Sequence, residues 1–391
     1  MSGENTLTVA KKPTHLKALT GLRIIAAVWV LLHHFHDVIF GLLPGLTFLA
    51  PLFDQGWRGV DLFFMLSGFI LSYQYMDRFS AGLYRKEYLH FLRLRIARVY
   101  PVHFLTLHTS MILFTAAALL GVPVQPGLSD NTFWTYLQNV FLIQAWWGHL
   151  QSWNGASWSV SAEWFAYLLF PIAATVIFRV RSIALSWIVG LVSLACFTAA
   201  YQMVNSDATV STDGDLFRIA GAFIAGCCLF KVYALTPRLG RLWSVAPSLA
   251  IVLVLVLAYV PSAVSILMLP AFGILILGLV RGTDGVSRML STKAMVHGGA
   301  ISYSFYMIHQ QALTVVRNVI PDSLYGGSLW PFGALVVLGT LGFVYLAAHL
   351  VFRFVEEPCR KLIRGDGKHQ APVTPSAHPQ PDVQLEVSKA P

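Results

Sequence analysis

Apolar runs of about twenty residues recur along the chain, separated by short polar breaks. They fall at roughly 22–42, 59–76, 100–121, 161–178, 183–204, 216–233, 244–261, 263–281, 299–320 and 331–352. At about 1.5 Å per residue, a helix of this length matches a hydrocarbon core about 30 Å thick. Within lipid a helix satisfies its own backbone groups, which an isolated strand cannot. The pattern predicts an all-α fold, a polytopic transmembrane bundle of about ten helices. The stretch from Phe133 to Trp147 is apolar but interrupted by Gln138, Asn139 and Gln144. It reads as an interfacial or re-entrant helix rather than a crossing.

Composition agrees with this pattern. The 391 residues are 56% hydrophobic and 12% charged, with a mean hydropathy of +0.64, whereas a soluble domain carries about a quarter charged residues. With the N-terminus inside, all but three of the 27 Lys and Arg residues fall on inner segments. The exceptions are Arg58, Arg218 and Arg317. This positive-inside bias, with an even number of crossings, predicts both termini in the cytoplasm. The net charge of +9 therefore reports orientation, and the chain carries no nucleic-acid motif.

Residues 1–15 and 364–391 are polar and read as disordered cytoplasmic ends of a single membrane domain, 16–363. The first apolar run is too long for a signal peptide and lacks a small-residue cleavage pattern. Cys196, Cys227, Cys228 and Cys359 have neither disulfide nor metal spacing, and no metal is expected. Trp134, Trp146, Trp147, Trp153 and Trp158 crowd the longest outer connection. An aromatic belt explains most of them, and a sugar-stacking wall is the sharper alternative.

Ionisable groups inside crossings cost about 2.5–3.5 kcal/mol for Arg, Lys or Asp on insertion scales, so those that persist are functional candidates. The first helix carries Arg23 and then His33, His34, His36 and Asp37. Arg23 and His34 are separated by about three turns, or roughly 16 Å, on nearly one face. A neutral imidazole there is suited to general-base work, and Asp37 is placed to orient His33 instead. Asp61 enters the second helix, with Arg58 or a first-helix histidine as its expected partner. Ser67 and Gly68 permit close helix approach.

Arg93, Arg95 and Arg98 interleave with apolar residues at the start of the third helix, as a guanidinium receptor for a phosphorylated cytosolic cofactor would. Glu163 stands near the start of the fourth crossing, either as a helix N-terminal charge or as a ligand for sugar hydroxyls. His309 is a secondary site candidate.

In this order, these pieces resemble the acyltransferase-3 family of bacterial membrane O-acyltransferases, over roughly residues 16–363. The resemblance rests on Leu19 to Arg23 followed by His34, Gly59 to Phe69, Arg93 to Pro101, Trp158 to Glu163, and Ser302-Tyr303 to His309. It implies transfer of an acyl group, usually acetyl from acetyl-CoA, to a hydroxyl of a glycan or glycosylated small molecule, in the bacterial inner membrane. It selects Arg23 and His34 as the functional pair of the first helix, and assigns donor binding to Arg93, Arg95 and Arg98. The family's second acidic residue after Glu163 is replaced here by Trp164. Asp61 and Glu163 complete the expected catalytic set, with acyl-CoA, a sugar-bearing acceptor and membrane lipid as partners. The rival reading is a proton-coupled transporter or flippase using the buried His and Asp as a relay.

Overall fold

The computed structural model describes residues 16–79, 82–122, 131–147, 152–204, 215–236, 241–282, 284–320, 324 and 330–364. Of the ends read above as disordered, 1–15 and 364–391, all but Arg364 lie outside the described residues; Arg364 is instead the last residue of a helix. Among the described residues every regular element is helical. In chain order the longer ones are α1 (Lys17–His34), α2 (His36–Leu42), α3 (Arg58–Phe79), α4 (Arg85–Leu119), α5 (Phe133–Val140), α6 (Trp158–Ile177) and α7 (Ile183–Val204). There follow α8 (Asp215–Leu235), α9 (Ala246–Ala258), α10 (Met268–Arg281), α11 (Lys293–Val319) and α12 (Trp330–Val351). A π-helical turn (Phe352–Glu356) then leads into α13 (Glu357–Arg364).

Each of the ten apolar runs is helical over most of its length. Five helices among the described residues are long and apolar enough to cross a membrane, or six if the bent pair α1 and α2 counts as one span. The helices that fall short divide into two kinds. α9 and α10 are apolar but short. α3 and α11 are long but carry Arg58, Asp61, Ser67, Ser302, Tyr303 and His309. Such residues must face protein rather than lipid, so these two helices belong to the interior and bring the polar groups with them.

The bundle is held by close helix contacts. α1 packs along α11, and α8 lies between α3 and α7. A Cβ built on Gly68 would sit 2.1 Å from the Phe223 carbonyl oxygen, and one on Gly226 2.1 Å from that of Met65. The two backbones therefore touch, as small residues at a membrane helix interface allow. That explains Gly68; Ser67 instead lines a cavity.

The segment from Phe133 to Trp147 is one eight-residue helix and a 3-10 turn, too short to span. A buried polar network fixes it: Asn139 donates to Ser152 Oγ at 2.9 Å, Ser157 donates to Asn139 Oδ1 at 3.1 Å, and Ser161 donates to the Leu142 carbonyl at 2.8 Å. The indoles of Trp146 and Trp153 donate inward to Ser161 O and Thr135 Oγ1. Trp134 is exposed.

Candidate functional site

The bend between α1 and α2 is 66° at Phe35, directly after His34. A helix end leaves carbonyls without intrahelical donors, and side chains take over two of them here. The ring Nδ1 of His36 lies 2.6 Å from His33 O, and Arg317 donates to His34 O at 3.2 Å. A cation at this end also suits the negative pole of the helix. Arg317 is paired in turn with Asp37 at 2.7 Å. Asp37 therefore does not orient His33, whose Nδ1 faces Phe53 O at 3.1 Å.

The break leaves His34 half-buried, facing His309 of α11. His34 Nδ1 is 3.0 Å from Val30 O and 3.2 Å from His309 Nε2. His309, 1% exposed, turns its own Nδ1 onto Tyr306 O. Carbonyl oxygens only accept, so in the neutral rings both Nδ1 atoms carry the hydrogen. His309 Nε2 is then a lone-pair acceptor facing the His34 Nδ1–H. The same assignment leaves His34 Nε2 unprotonated, the state a general base requires.

Two cavities adjoin on the Arg23 side of this pair. The first, about 440 Å³, is lined by Arg23, Arg95, Arg98, Arg360 and Arg364 together with Tyr73, Gln74 and Glu356. The second, about 50 Å³, is lined by Arg23, Ser67, Ser159, Glu163, Tyr303 and Tyr306. Arg23 and Tyr303 border both. Tyr306, in the wall of the small pocket, has its ring 5.3 Å from that of His309, which is 5.0 Å from the His34 ring. Ring contacts thus link the small pocket to His34 through Tyr306 and His309, while neither histidine lines either cavity. A larger groove of about 750 Å³ between α4, α11 and α12 is almost wholly apolar and has no ionisable side chain in its lining, so size does not locate the chemistry.

The predicted residues separate on this geometry. Arg95 and Arg98 line the arginine cavity, and Arg95 Nε is buried without a hydrogen-bond partner. Arg93 is exposed and donates to Ile363 O at 2.8 Å, outside the cavity. Glu163 accepts a hydrogen bond from Tyr167 and faces the small pocket. It lies past the first turn of α6 and does not cap it.

Asp61, 0% exposed, pairs with Arg218 at 2.9 Å and Arg58 at 3.9 Å. Its ion-pair partners are arginines, not a first-helix histidine. Arg218 is also held by Asp215 at 3.1 Å and stacks over Trp57. All three cations that break the charge bias, Arg58, Arg218 and Arg317, are therefore neutralised by carboxylates. Substituting Asp61 by Asn should leave two buried guanidiniums undercompensated, at a cost of about 3–5 kcal/mol. The expected result is a lower melting temperature and a reduced folded yield in detergent. Full stability with lost turnover would place Asp61 in the chemistry instead.

Glu356, Arg360, Tyr167 and Tyr306 were not singled out from sequence. For Glu356 a signal existed: a carboxylate within an amphipathic end, which the run of cations around it obscured. Ser304 donates to it at 2.7 Å, and it is 3% exposed.

Comparison with known proteins gives this geometry a chemical context. The family model of the acyltransferase domain matches residues 16–349. The acyltransferase MdmB of Streptomyces mycarofaciens is 26% identical over 96% of this chain and 98% of its own length. A Staphylococcus aureus protein carrying a provisional O-acetyltransferase name is 23% identical over 92% of this chain, but only 60% of its own length. Protein 2 in the picA locus of Rhizobium radiobacter is 33% identical over 28% of this chain and 52% of its own length. No solved structure matches the chain.

Proposed function

Because this chain belongs to the acyltransferase family whose domain spans residues 16–349, we propose that it is an acyl-CoA-dependent O-acyltransferase of the bacterial inner membrane. It moves an acyl group, acetyl in the first instance, to a hydroxyl of a glycan or other sugar-bearing acceptor. Its ten apolar runs cross the bilayer with both ends cytoplasmic, as the distribution of Lys and Arg requires, and the arginine cavity then opens to the cytoplasm.

One observation carries this reading: a cavity ringed by arginines adjoins, across Arg23 and Tyr303, a small pocket holding Glu163, and Arg23 stands on the helix that ends at His34. Guanidinium forks suit phosphate oxygens, and the unpartnered Nε of Arg95 is a donor awaiting one. The nucleotide end of the donor lies against Arg95 and Arg98. Its pantetheine arm passes Arg23 and Tyr303 toward His34, a rise of about 16 Å along α1.

The acceptor hydroxyl arrives from the outer side, where His34 is half-buried. His34 Nε2 takes the hydroxyl proton as the oxygen attacks the thioester carbonyl. The carbon–sulfur bond breaks, the proton held by His34 passes to the departing sulfur, and CoA leaves as its thiol to the cytoplasm. Arg23 and Glu163 flank the path of the thioester, and a site closed by protein favours transfer over hydrolysis. Asp61 acts from a distance, by fixing Arg218 and the outer end of α3.

The test is labelled acetyl-CoA with purified protein in detergent and a panel of glycans and glycosylated small molecules. Transfer of label with equal release of free CoA is expected. Solute flux in proteoliposomes without CoA turnover would replace this reading with a transporter. His309 is a positioning residue whose Nε2 holds the His34 tautomer. His309→Ala should lower kcat about tenfold with KM for acetyl-CoA unchanged. His309→Gln, which keeps an acceptor, should recover much of the loss. Equal activity in all three proteins would remove His309 from the site.

A further inference from the structure

The last described helix, α13, lies beyond residue 349, where the family match ends, yet it supplies two of the five arginines of the cavity. Glu356, Arg360 and Arg364 are spaced by four residues and share one helix face, and all three line the cavity. Two features hold that face in place. A π-helical turn over Phe352–Glu356 inserts an extra residue into the helical repeat, which sets the rotation of everything after it. Arg93, displaced from the cavity, donates to Ile363 O at 2.8 Å and clamps α13 onto α4.

The cavity is ordered in depth. Arg23 is shared with the small inner pocket, so it marks the deep end. Arg360 is half-buried and Arg364 is exposed, so they mark the mouth. The buried carboxylate of Glu356, held by Ser304, would repel a phosphate and keeps the most anionic part of any ligand away from its own depth.

We infer that α13 is the outer wall of the donor site, and that Arg360 and Arg364 bind the 3′-phosphate of the donor nucleotide while Arg95 and Arg98 take the diphosphate. The inference rests on the donor reading above. A thioester delivered inward past Arg23 leaves the opposite end of the molecule, which carries the 3′-phosphomonoester, at the mouth. That group bears more charge than either diphosphate phosphorus, and two guanidiniums one turn apart answer it. Arg93 is on this account a positioning residue for α13 rather than a direct ligand of the donor.

The experiment compares acetyl-CoA with acetyl-3′-dephospho-CoA by calorimetric titration of the full chain in detergent, for the unaltered protein, Arg360→Gln, Arg364→Gln and Arg98→Ala. The unaltered protein should bind the dephosphorylated donor about 10- to 100-fold more weakly. Arg360→Gln should bring acetyl-CoA most of the way to that level while leaving affinity for the dephosphorylated donor unchanged, and that unchanged affinity is also the control for folding. Arg364→Gln should show the same selectivity with a smaller drop. Equal weakening of both donors, or of neither, overturns the assignment of Arg360. If the unaltered protein binds neither donor, or Arg98→Ala binds both as well as it does, the donor reading itself fails.

Discussion

Replacing His34 by Ala should lower acyl transfer by about 10²–10⁴-fold, the range that a positioned general base contributes. Chromatographic profile and melting temperature should remain those of the unaltered protein. The expectation follows from hydrogen bonding. His34 Nδ1 is committed to Val30 O and His309 Nε2, so its Nε2 is the atom free to take a proton. His33 is the comparison. Its Nδ1 faces Phe53 O, and His33→Ala should retain activity within a few-fold. The readout is initial rate of CoA release with saturating donor and acceptor. If His34→Ala turned over at a rate close to that of the unaltered chain, the base would have to be sought elsewhere, with Glu163 next in line.

The second large effect is expected at the arginine cavity. Each charge-assisted hydrogen bond to phosphate is worth about 1.5–3 kcal/mol, or roughly 10- to 100-fold in affinity. Removing Arg95 and Arg98 together should raise KM for acetyl-CoA by about 100-fold or more, with a much smaller change in kcat at saturation. Arg95 lies against the rings of Tyr75, Phe91 and Tyr167, so its loss also removes packing. Arg95→Lys separates the two, because it keeps charge and stem but not the fork. Arg93→Ala should act more weakly and through α13. A double variant that kept its KM but lost kcat would move these arginines from donor binding to the reacting centre.

The third helix illustrates where sequence reasoning stops. At about 100° per residue, Arg95 and Arg98 share a face and Arg93 points nearly the opposite way. The spacing divides the three arginines into two sets but is silent on which set looks inward. The fold settles it: Arg93 meets the backbone of α13 at Ile363 O, while Arg95 and Arg98 turn into the cavity that Arg360 and Arg364 of the same helix also line. Asp61 is a parallel case. A buried carboxylate demands a cation, and the adjacent Arg58 was visible. The closer partner, Arg218, is 157 positions away.

The amino-acid sequence alone determined that the chain is helical, that its helices are apolar enough for lipid, where its cations gather, and which family's order of motifs it follows. These are local properties: hydrophobic run length, charge count and residue order act within one or two turns of chain. Tertiary structure alone decided that His34 faces His309 across 275 positions, that Arg23 borders two cavities, that Arg93 clamps a helix, and that Glu356 joins the arginines. Each of these depends on the rotation of one helix about its axis against another. Backbone contact at Gly68 and Gly226, the bend at Phe35 and the π turn at Phe352–Glu356 set those rotations, and only packing across the whole bundle fixes them.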